Sequence, residues 1–220
     1  MTAVLTDAEL VDVASGFEGA LAEDIVRWAA DTFGSELCLT TSLTDAVLVD
    51  LVARVAPEVE VVFLDTQYHF PQTLATLDTV RERYPVHVNV RRPDLSLDDL
   101  WRTDTDACCA ARKIAPLEEV LAGKTAWLSG LRRADSADRA ATPIVERDRR
   151  GLVKVNPIAT WSDADVELYI SLHDVPVNPL VAQGYPSVGC WPCTQTVAPG
   201  QDKRAGRWAG TAKTECGLHL

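Results

Sequence analysis

The sequence has no run of about 18 or more apolar residues, the length that a helix needs to cross a lipid bilayer. Its opening residues, MTAVLTDAELVDVASGFEGALAEDIV, are acidic and interrupted by charge, so the basic start and apolar stretch of a secretory signal are missing. Both absences predict a cytoplasmic protein without a membrane partner. Because cytosolic thiols are kept reduced, we expect the six cysteines to be free thiols, metal ligands or redox catalysts rather than structural disulfides.

An excess of basic residues is also missing. The net charge of −11 predicts that the protein has no general nucleic-acid-binding surface. The charge is uneven, because residues 1–100 contain 18 Asp/Glu against 6 Lys/Arg, whereas residues 101–220 contain 14 against 15. The basic side chains therefore share the second half with five of the six cysteines, and that half would suit an anionic small-molecule substrate. A lopsided but merely solvated surface is the alternative.

Internal repeats and low-complexity tracts are absent, and short β-rich runs alternate with longer helical stretches. Strands are predicted at 36–42, 59–66, 86–90 and 125–133. Helices are predicted at 17–33, 45–56, 67–84, 95–102, 107–123 and 162–174, with Pro116 kinking or restarting its helix. The β-α-β order predicts an α/β fold with a doubly wound, mainly parallel sheet. Residues 1–174 would form this α/β domain, and residues 175–220, rich in Pro and Gly, would form a loop-rich C-terminal extension.

Open α/β sheets bind ligands beyond the carboxyl ends of their strands, and three segments are expected there. The segment 40–45, TTSLTD, offers hydroxyls, including that of Ser42, as a phosphate cradle, although helix capping by Ser42 or Thr44 would explain it equally well. The second segment is 64–70. The third, 129–139, brings arginines that suit phosphate or sulfate oxygens, or that are simply surface charge: Arg132, Arg133 and Arg139.

Four of the cysteines form two close pairs, one adjacent pair and one CxxC: Cys108, Cys109, Cys190 and Cys193. Two such pairs can ligate zinc or an iron–sulfur cluster. Arg112 and Lys113 follow the first pair by four residues, so these cations would share its helix faces and offset the thiolate charge. The alternatives are a CxxC redox pair, or buried core cysteines with an unrelated CxxC. Cys38, within an apolar strand, is assigned to the core.

Several motifs together resemble the assimilatory adenylyl-sulfate (APS) reductases of bacterial type, within the PAPS/APS reductase family. They are CCxxRK, GLRRxxS, NPLxxQGYPSxGCxPCT and the terminal ECGLH. The resemblance runs from about residue 36 to the C-terminus. It implies an adenine nucleotide alpha-hydrolase-like fold and a [4Fe–4S] cluster bound by the two cysteine pairs. Relatives specific for the 3′-phosphorylated substrate, PAPS, lack these cysteines, so the resemblance implies APS as the substrate.

The resemblance also gives the terminal motif a function. The Cys216 thiolate would attack the sulfur of APS, displace AMP and form an S-sulfocysteine, which thioredoxin would reduce with release of sulfite. A free thiol with a pKa of ~8.5 is little ionised at neutral pH, and Lys213 or protonated His219 would raise the thiolate fraction. The cations expected to screen the substrate are Lys113, Arg132, Arg139, Arg204 and Arg207.

Three alternatives remain at this point. The first is a PAPS reductase. The second is an ATP-using sulfur-transfer enzyme of the same fold, which would need a glycine-rich loop that TTSLTD is not. The third is a non-enzymatic zinc module. Assembly into a homo-oligomer is left open by the sequence.

Overall fold

The computed structural model describes residues 5–218, and six strands form one sheet in the order β3-β2-β1-β4-β6-β5. All neighbouring strands are parallel except β5 and β6. The strands are β1 (Leu37–Thr41), β2 (Glu60–Leu64), β3 (Val88–Arg91), β4 (Ala126–Leu128), β5 (Val145–Arg147) and β6 (Val153–Val155). The doubly wound, mainly parallel sheet is therefore confirmed. The two short strands β5 and β6 were not predicted.

Eight α-helices are found within residues 5–218. They are α1 (Asp7–Gly16), α2 (Ala22–Phe33), α3 (Val47–Val55), α4 (Pro71–Arg83), α5 (Leu100–Thr103), α6 (Thr105–Cys109), α7 (Ala115–Leu121) and α8 (Asp163–His173). The helix predicted at 17–33 begins only at Ala22, because a separate helix, α1, precedes it. Thr6 and Glu9 form a capping box that starts α1. Gly19, with φ of 139°, lies in the turn between the two helices.

The central strands are buried on both faces, as parallel sheets require. The side chains on one face of the sheet join the larger core under α2 and α3, and they include Leu39 and Phe63. The side chains on the opposite face pack with α7 instead, in a cluster that contains Trp127 and Leu117. Because strand side chains alternate between faces, one apolar run supplies both cores. Because both faces of the sheet are buried, the edge at which the parallel strands end, the carboxyl edge, is left accessible.

The cysteine-bearing helix is interrupted. A wide π-helical turn, Ala110–Ile114, separates α6 from α7, and Pro116 lies in the first turn of α7. Proline has no amide hydrogen to donate to the carbonyl four residues back, so one backbone hydrogen bond of the helix is missing at this point. The helix predicted at 107–123 therefore continues through the wide turn, and whether Pro116 kinks or restarts it stays a prediction. The wide turn buries Arg112 and Lys113 rather than leaving them on an exposed face.

Residues 175–218 contain 3₁₀ turns at Val181–Gln183 and Trp191–Cys193 but no α-helix or sheet strand, which confirms the loop-rich prediction for this part. The segment nevertheless contacts the sheet edge. Val177 bridges Asp45, and Cys190 bridges His69. The division of the chain at residue 174 stays a prediction. No helix within residues 5–218 is long and apolar enough to span a membrane.

Candidate active site at the carboxyl edge of the sheet

One cleft at the carboxyl edge brings together the predicted catalytic and substrate-binding residues that lie within residues 5–218. It is formed by the loop after β1, the segment after β4, the wide turn after α6 and the extension. The predicted residues that line it are Ser42, Lys113, Arg132, Arg139, Arg204, Arg207 and Cys216. His219 lies outside the described residues.

The loop after β1 is an open edge of this cleft rather than a helix cap. The residue that precedes α3 is Ala46, which has no capping side chain, and Asp45 accepts a hydrogen bond from the Val47 amide at 3.0 Å. The alternative that Ser42 or Thr44 caps the helix is therefore wrong. Ser42 is exposed in the cleft, while Thr44 Oγ1 accepts a long hydrogen bond, 3.4 Å, from the Val188 amide.

Three of the cleft arginines are already paired with carboxylates. Arg132 pairs with Asp135 at 2.8 Å and with Asp163 at 3.1 Å. Arg139 and Arg204 both pair with Glu215, as described below. Arg133, expected at the same edge, instead pairs with Glu18 and donates to the Thr142 carbonyl, and it does not line the cleft.

Lys113 and Arg207 differ from these arginines. Neither has a carboxylate within salt-bridge distance among residues 5–218. Arg207 lies over the Trp208 ring at 4.6 Å, and within residues 5–218 its guanidinium makes only long hydrogen bonds, 3.4 Å, to Ser187 Oγ and the Val188 carbonyl. A Cβ at Gly189 would collide with the Arg207 guanidinium, so this close approach needs glycine. These two cations are the ones whose charge is left to attract an anion.

Burial opposes the charge on Lys113, but the neighbouring side chains, chiefly Cys190 and Cys216, favour it more strongly, so the pKa of Lys113 is raised. Arg204 shows the opposite effect. Burial, followed by the neighbouring cations Arg139 and Arg207, lowers the pKa of Arg204 to about 10. The cations of the cleft thus repel one another, and an anion bound among them would relieve that repulsion.

The four predicted ligand cysteines line a second, smaller cavity beside the cleft, with Lys113 and Trp208 lining both. Thr66 Oγ1 lies 3.2 Å from the Cys190 sulfur. Burial and neighbouring thiols raise the pKa of Cys108 to about 11 and also raise the pKa values of Cys109 and Cys193. The cavity therefore disfavours free thiolates unless a positive group binds them.

This cavity bears on which group the thiols could hold. A single zinc ion needs thiolates at about 2.3 Å from one centre, which brings the sulfur atoms close together. No group of three or more His, Cys, Asp or Glu side chains within residues 5–218 is arranged to hold a metal ion. A four-iron cluster binds each thiolate through a different iron and so needs them further apart around a shared space. Four cysteine thiols around one cavity are the donor set of both groups, so the chemistry of the donors fits a four-iron cluster as well as a zinc ion.

Cys216 lies at the boundary of the two cavities, where it packs with Cys109 and Trp208 and is only 8% exposed. Lys213, expected to act on Cys216, pairs with Asp106 and lies beside Cys109 instead. Cys38 is buried in the core as predicted, and burial raises its pKa to about 12.

Sequence reasoning overlooked the carboxylates of the cleft. Asp135 and Glu215 both line it and pair with the arginines. Glu215 is part of the terminal motif, so the motif itself was a signal. Asp135 had no such signal, because an acidic residue in a loop is usually solvated.

Known proteins resemble this chain in sequence and in structure. The family model described as the phosphoadenosine phosphosulfate reductase domain matches residues 36–196. A protein of Streptomyces coelicolor named adenosine 5'-phosphosulfate reductase is 52% identical, and the alignment covers 92% of this chain and 89% of that protein. One of the same name from Mycobacterium tuberculosis is 43% identical, with 99% and 98% covered.

Among solved structures, phosphoadenylyl-sulfate (PAPS) reductase from Candida auris, in a phosphate complex, matches with a TM-score of 0.79 and 28% identity, covering 90% of this chain and 100% of that one. FMN adenylyltransferase of Candida glabrata matches with a TM-score of 0.59, 13% identity and coverage of 86% and 74%, which indicates a shared fold alone. The match to the family model over most of the chain, with these close relatives, shows that the chain belongs to the phosphoadenosine phosphosulfate reductase family.

Proposed function

We propose that the protein reduces adenosine 5′-phosphosulfate to sulfite and AMP in assimilatory sulfate reduction, with Cys216 as nucleophile and thioredoxin as reductant. The observation that carries the proposal is that Cys216 lies in the same cleft as two cations without carboxylate partners among residues 5–218, Lys113 and Arg207. The names of the relatives, at 43–52% identity, support the nucleotide substrate.

The first step transfers the sulfuryl group to the enzyme. The Cys216 thiolate attacks sulfur, an S–S bond forms, and the bond from sulfur to the bridging oxygen breaks with its electron pair leaving on AMP. The attacking thiolate and the phosphosulfate are both anionic, so they approach only if cations screen them. Lys113 and Arg207 suit the sulfate end because their charge is not already offset. Arg132, Arg139 and Arg204 are the cations of the wider cleft, and the exposed Ser42 hydroxyl suits a phosphate oxygen.

The second step needs a dithiol. One thioredoxin thiolate attacks the Cys216 sulfur and displaces sulfite, giving a mixed disulfide. The second thioredoxin thiol resolves that disulfide, so thioredoxin is oxidised by two electrons and Cys216 is restored as a thiol. At 8% exposure Cys216 is out of reach of a protein reductant, and the tail that bears it has to move outward between the two steps. Reduced thioredoxin and six cysteines that form no disulfide both suit a cytoplasmic location.

A [4Fe–4S] cluster bound by Cys108, Cys109, Cys190 and Cys193 is part of the proposal. Bound there, it would tie the CxxC loop to the cysteine-bearing helix and set the electrostatic potential felt by Lys113. Thiolate attack on sulfur needs no electron from it. We expect Cys109→Ser to abolish the bound iron and to lower sulfite production; unchanged sulfite production without iron would contradict the electrostatic role.

PAPS reduction is the second candidate, because the family and the Candida auris relative are named for that nucleotide. Turnover of APS and PAPS by the same purified protein separates the two. An ATP-using enzyme is disfavoured because the loop at 40–45 has no glycine. A zinc module would use the same four thiols, and iron and acid-labile sulfide analysis tests it directly.

The central experiment uses anaerobically purified protein, APS and no reductant. Mass spectrometry should find one SO₃ adduct on Cys216, and Cys216→Ser should keep the fold but release no sulfite. Cys38→Ser is the matched control, since Cys38 is buried in the core away from the cleft, and it should retain the adduct. Turnover with an unmodified Cys216 would refute the covalent step.

A further inference from the structure

The C-terminal tail is held in the cleft by one carboxylate that bridges two arginines. Glu215 Oε1 lies 2.7 Å from Arg139 Nη2, and Glu215 Oε2 lies 3.0 Å from Arg204 Nη2. All three side chains are largely buried, at 14%, 13% and 12% exposure. Arg139 follows β4 and Arg204 belongs to the extension, so Glu215 joins two separate walls of the cleft. Charge-assisted pairs of this kind, shielded from water, are stronger than exposed ones.

The arginines need this carboxylate as much as the tail does. Arg139 lies close enough to oppose the charge on Arg204 and so to lower its pKa, while Glu215 favours that charge. Asp135 also contacts Arg139, at 3.2 Å, but it is shared with Arg132. Glu215 therefore supplies the negative charge that lets the two guanidinium groups lie together when the cleft holds no substrate.

The residue next to this carboxylate is Cys216, and its burial depends on the docked tail. The backbone turns inward at Gly217, whose φ of 82° is in the left-handed region, and Arg149 donates to the Gly217 carbonyl at 3.2 Å. With Glu215 anchored on one side and this turn on the other, Cys216 is fixed against Cys109 and Trp208.

We propose that Glu215 is a positioning residue for Cys216: its bridge to Arg139 and Arg204 holds the thiol in the cleft for sulfuryl transfer, and breaking the bridge frees the tail for the reductant. The catalytic part of this inference rests on the proposed function. The anchoring part does not, because it concerns the substrate-free protein.

The anchoring is tested by the rate at which N-ethylmaleimide modifies Cys216 in the anaerobic protein without nucleotide. Trypsin cleaves after Lys213, so Cys216 is read out as the only cysteine of the peptide 214–220. Glu215→Gln should speed its modification about tenfold, a ratio that corresponds to about 1.4 kcal/mol. Glu118→Gln, an exposed carboxylate on α7, is the matched control and should leave the rate unchanged.

A second variant separates anchoring from a simple change in thiol ionisation. Arg139→Gln removes a cation, which by charge alone would disfavour the thiolate and slow modification. If the bridge anchors the tail, Arg139→Gln speeds it instead, as Glu215→Gln does. Acceleration in both variants supports the inference. Slowing in Arg139→Gln, or no acceleration in Glu215→Gln, overturns it, whatever the activity of the protein proves to be.

The positioning role is tested by kinetics with APS. Glu215→Gln should lower the single-turnover rate of S-sulfocysteine formation without raising KM, and Glu215→Asp should restore part of that rate. Reduction of preformed S-sulfocysteine by thioredoxin should not slow, because an unanchored tail is easier to reach. A raised KM with an unchanged single-turnover rate would mean that Glu215 acts on substrate binding alone, which overturns the positioning role while leaving the proposed function intact.

Discussion

Asn178 joins the extension to the sheet edge, and its replacement by alanine should both destabilise the protein and weaken substrate binding. Its side chain is fully buried. The amide nitrogen donates to the Leu43 carbonyl at 3.2 Å and to Thr73 Oγ1 at 2.9 Å, and its oxygen accepts from the Leu180 amide at 3.1 Å. Asn178→Ala therefore removes three buried hydrogen bonds at once.

The expected loss of stability follows from the number of hydrogen bonds that the substitution removes. Each buried hydrogen bond contributes a net stabilisation of about 1 kcal/mol, so Asn178→Ala should lower the free energy of unfolding by about 3 kcal/mol. For a chain of this size that corresponds to a fall in Tm of about 6–12 °C. Because the Leu43 carbonyl lies in the loop that carries Ser42, the KM for the nucleotide should rise as well.

Urea and thermal denaturation followed by circular dichroism measure the loss. Asn89→Ala is the matched control, because Asn89 donates a single part-buried hydrogen bond, to Glu60 at 2.8 Å, and should cost about 1 kcal/mol. If Asn178→Ala lowers the free energy of unfolding no more than Asn89→Ala does, the three hydrogen bonds of Asn178 do not hold the extension to the sheet edge.

Three further outcomes are expected. Gly217→Ala should undock the tail and accelerate maleimide modification of Cys216, since φ is 82° and the new Cβ would lie 2.9 Å from Ile114 Cδ1. The left-handed penalty of about 1–2 kcal/mol should lower Tm by at most about 2–8 °C. Cys38 should resist alkylation in the native protein up to about pH 9, because burial raises its pKa to about 12 and leaves almost no thiolate; ready modification at pH 8 would contradict this. Ser162→Ala should lower the free energy of unfolding by about 1 kcal/mol in urea, since Ser162 and Asp165 form the capping box of α8, and a neutral result would mean that the cap adds nothing.

The elements of the fold that could be predicted are those that a local sequence pattern, such as an apolar run, determines. The strands β1 to β3 follow from apolar runs, and the side chains of β1 and β2 alternate between the two cores as a period of two requires. The short strands β5 and β6 carry charged residues such as Glu146 and Lys154. These two residues pair across the strands, but the sequence alone does not show which residues pair, so the strands were missed. The start of α1, in contrast, was readable, because Thr6 and Glu9 have the spacing of a capping box.

The sequence by itself identified the residues that we expect to carry chemistry, because the paired cysteines, the terminal Cys216 and the arginines near the strand ends all lie in short motifs. Only the tertiary structure decided how their charges are distributed. Arg139 and Glu215 are 76 residues apart in the chain yet form one ion pair, while Arg207 has no carboxylate partner within residues 5–218. The physical reason is that a motif specifies side-chain type and local direction, whereas the free charge of a cation depends on every carboxylate that folding brings within about 4 Å of it.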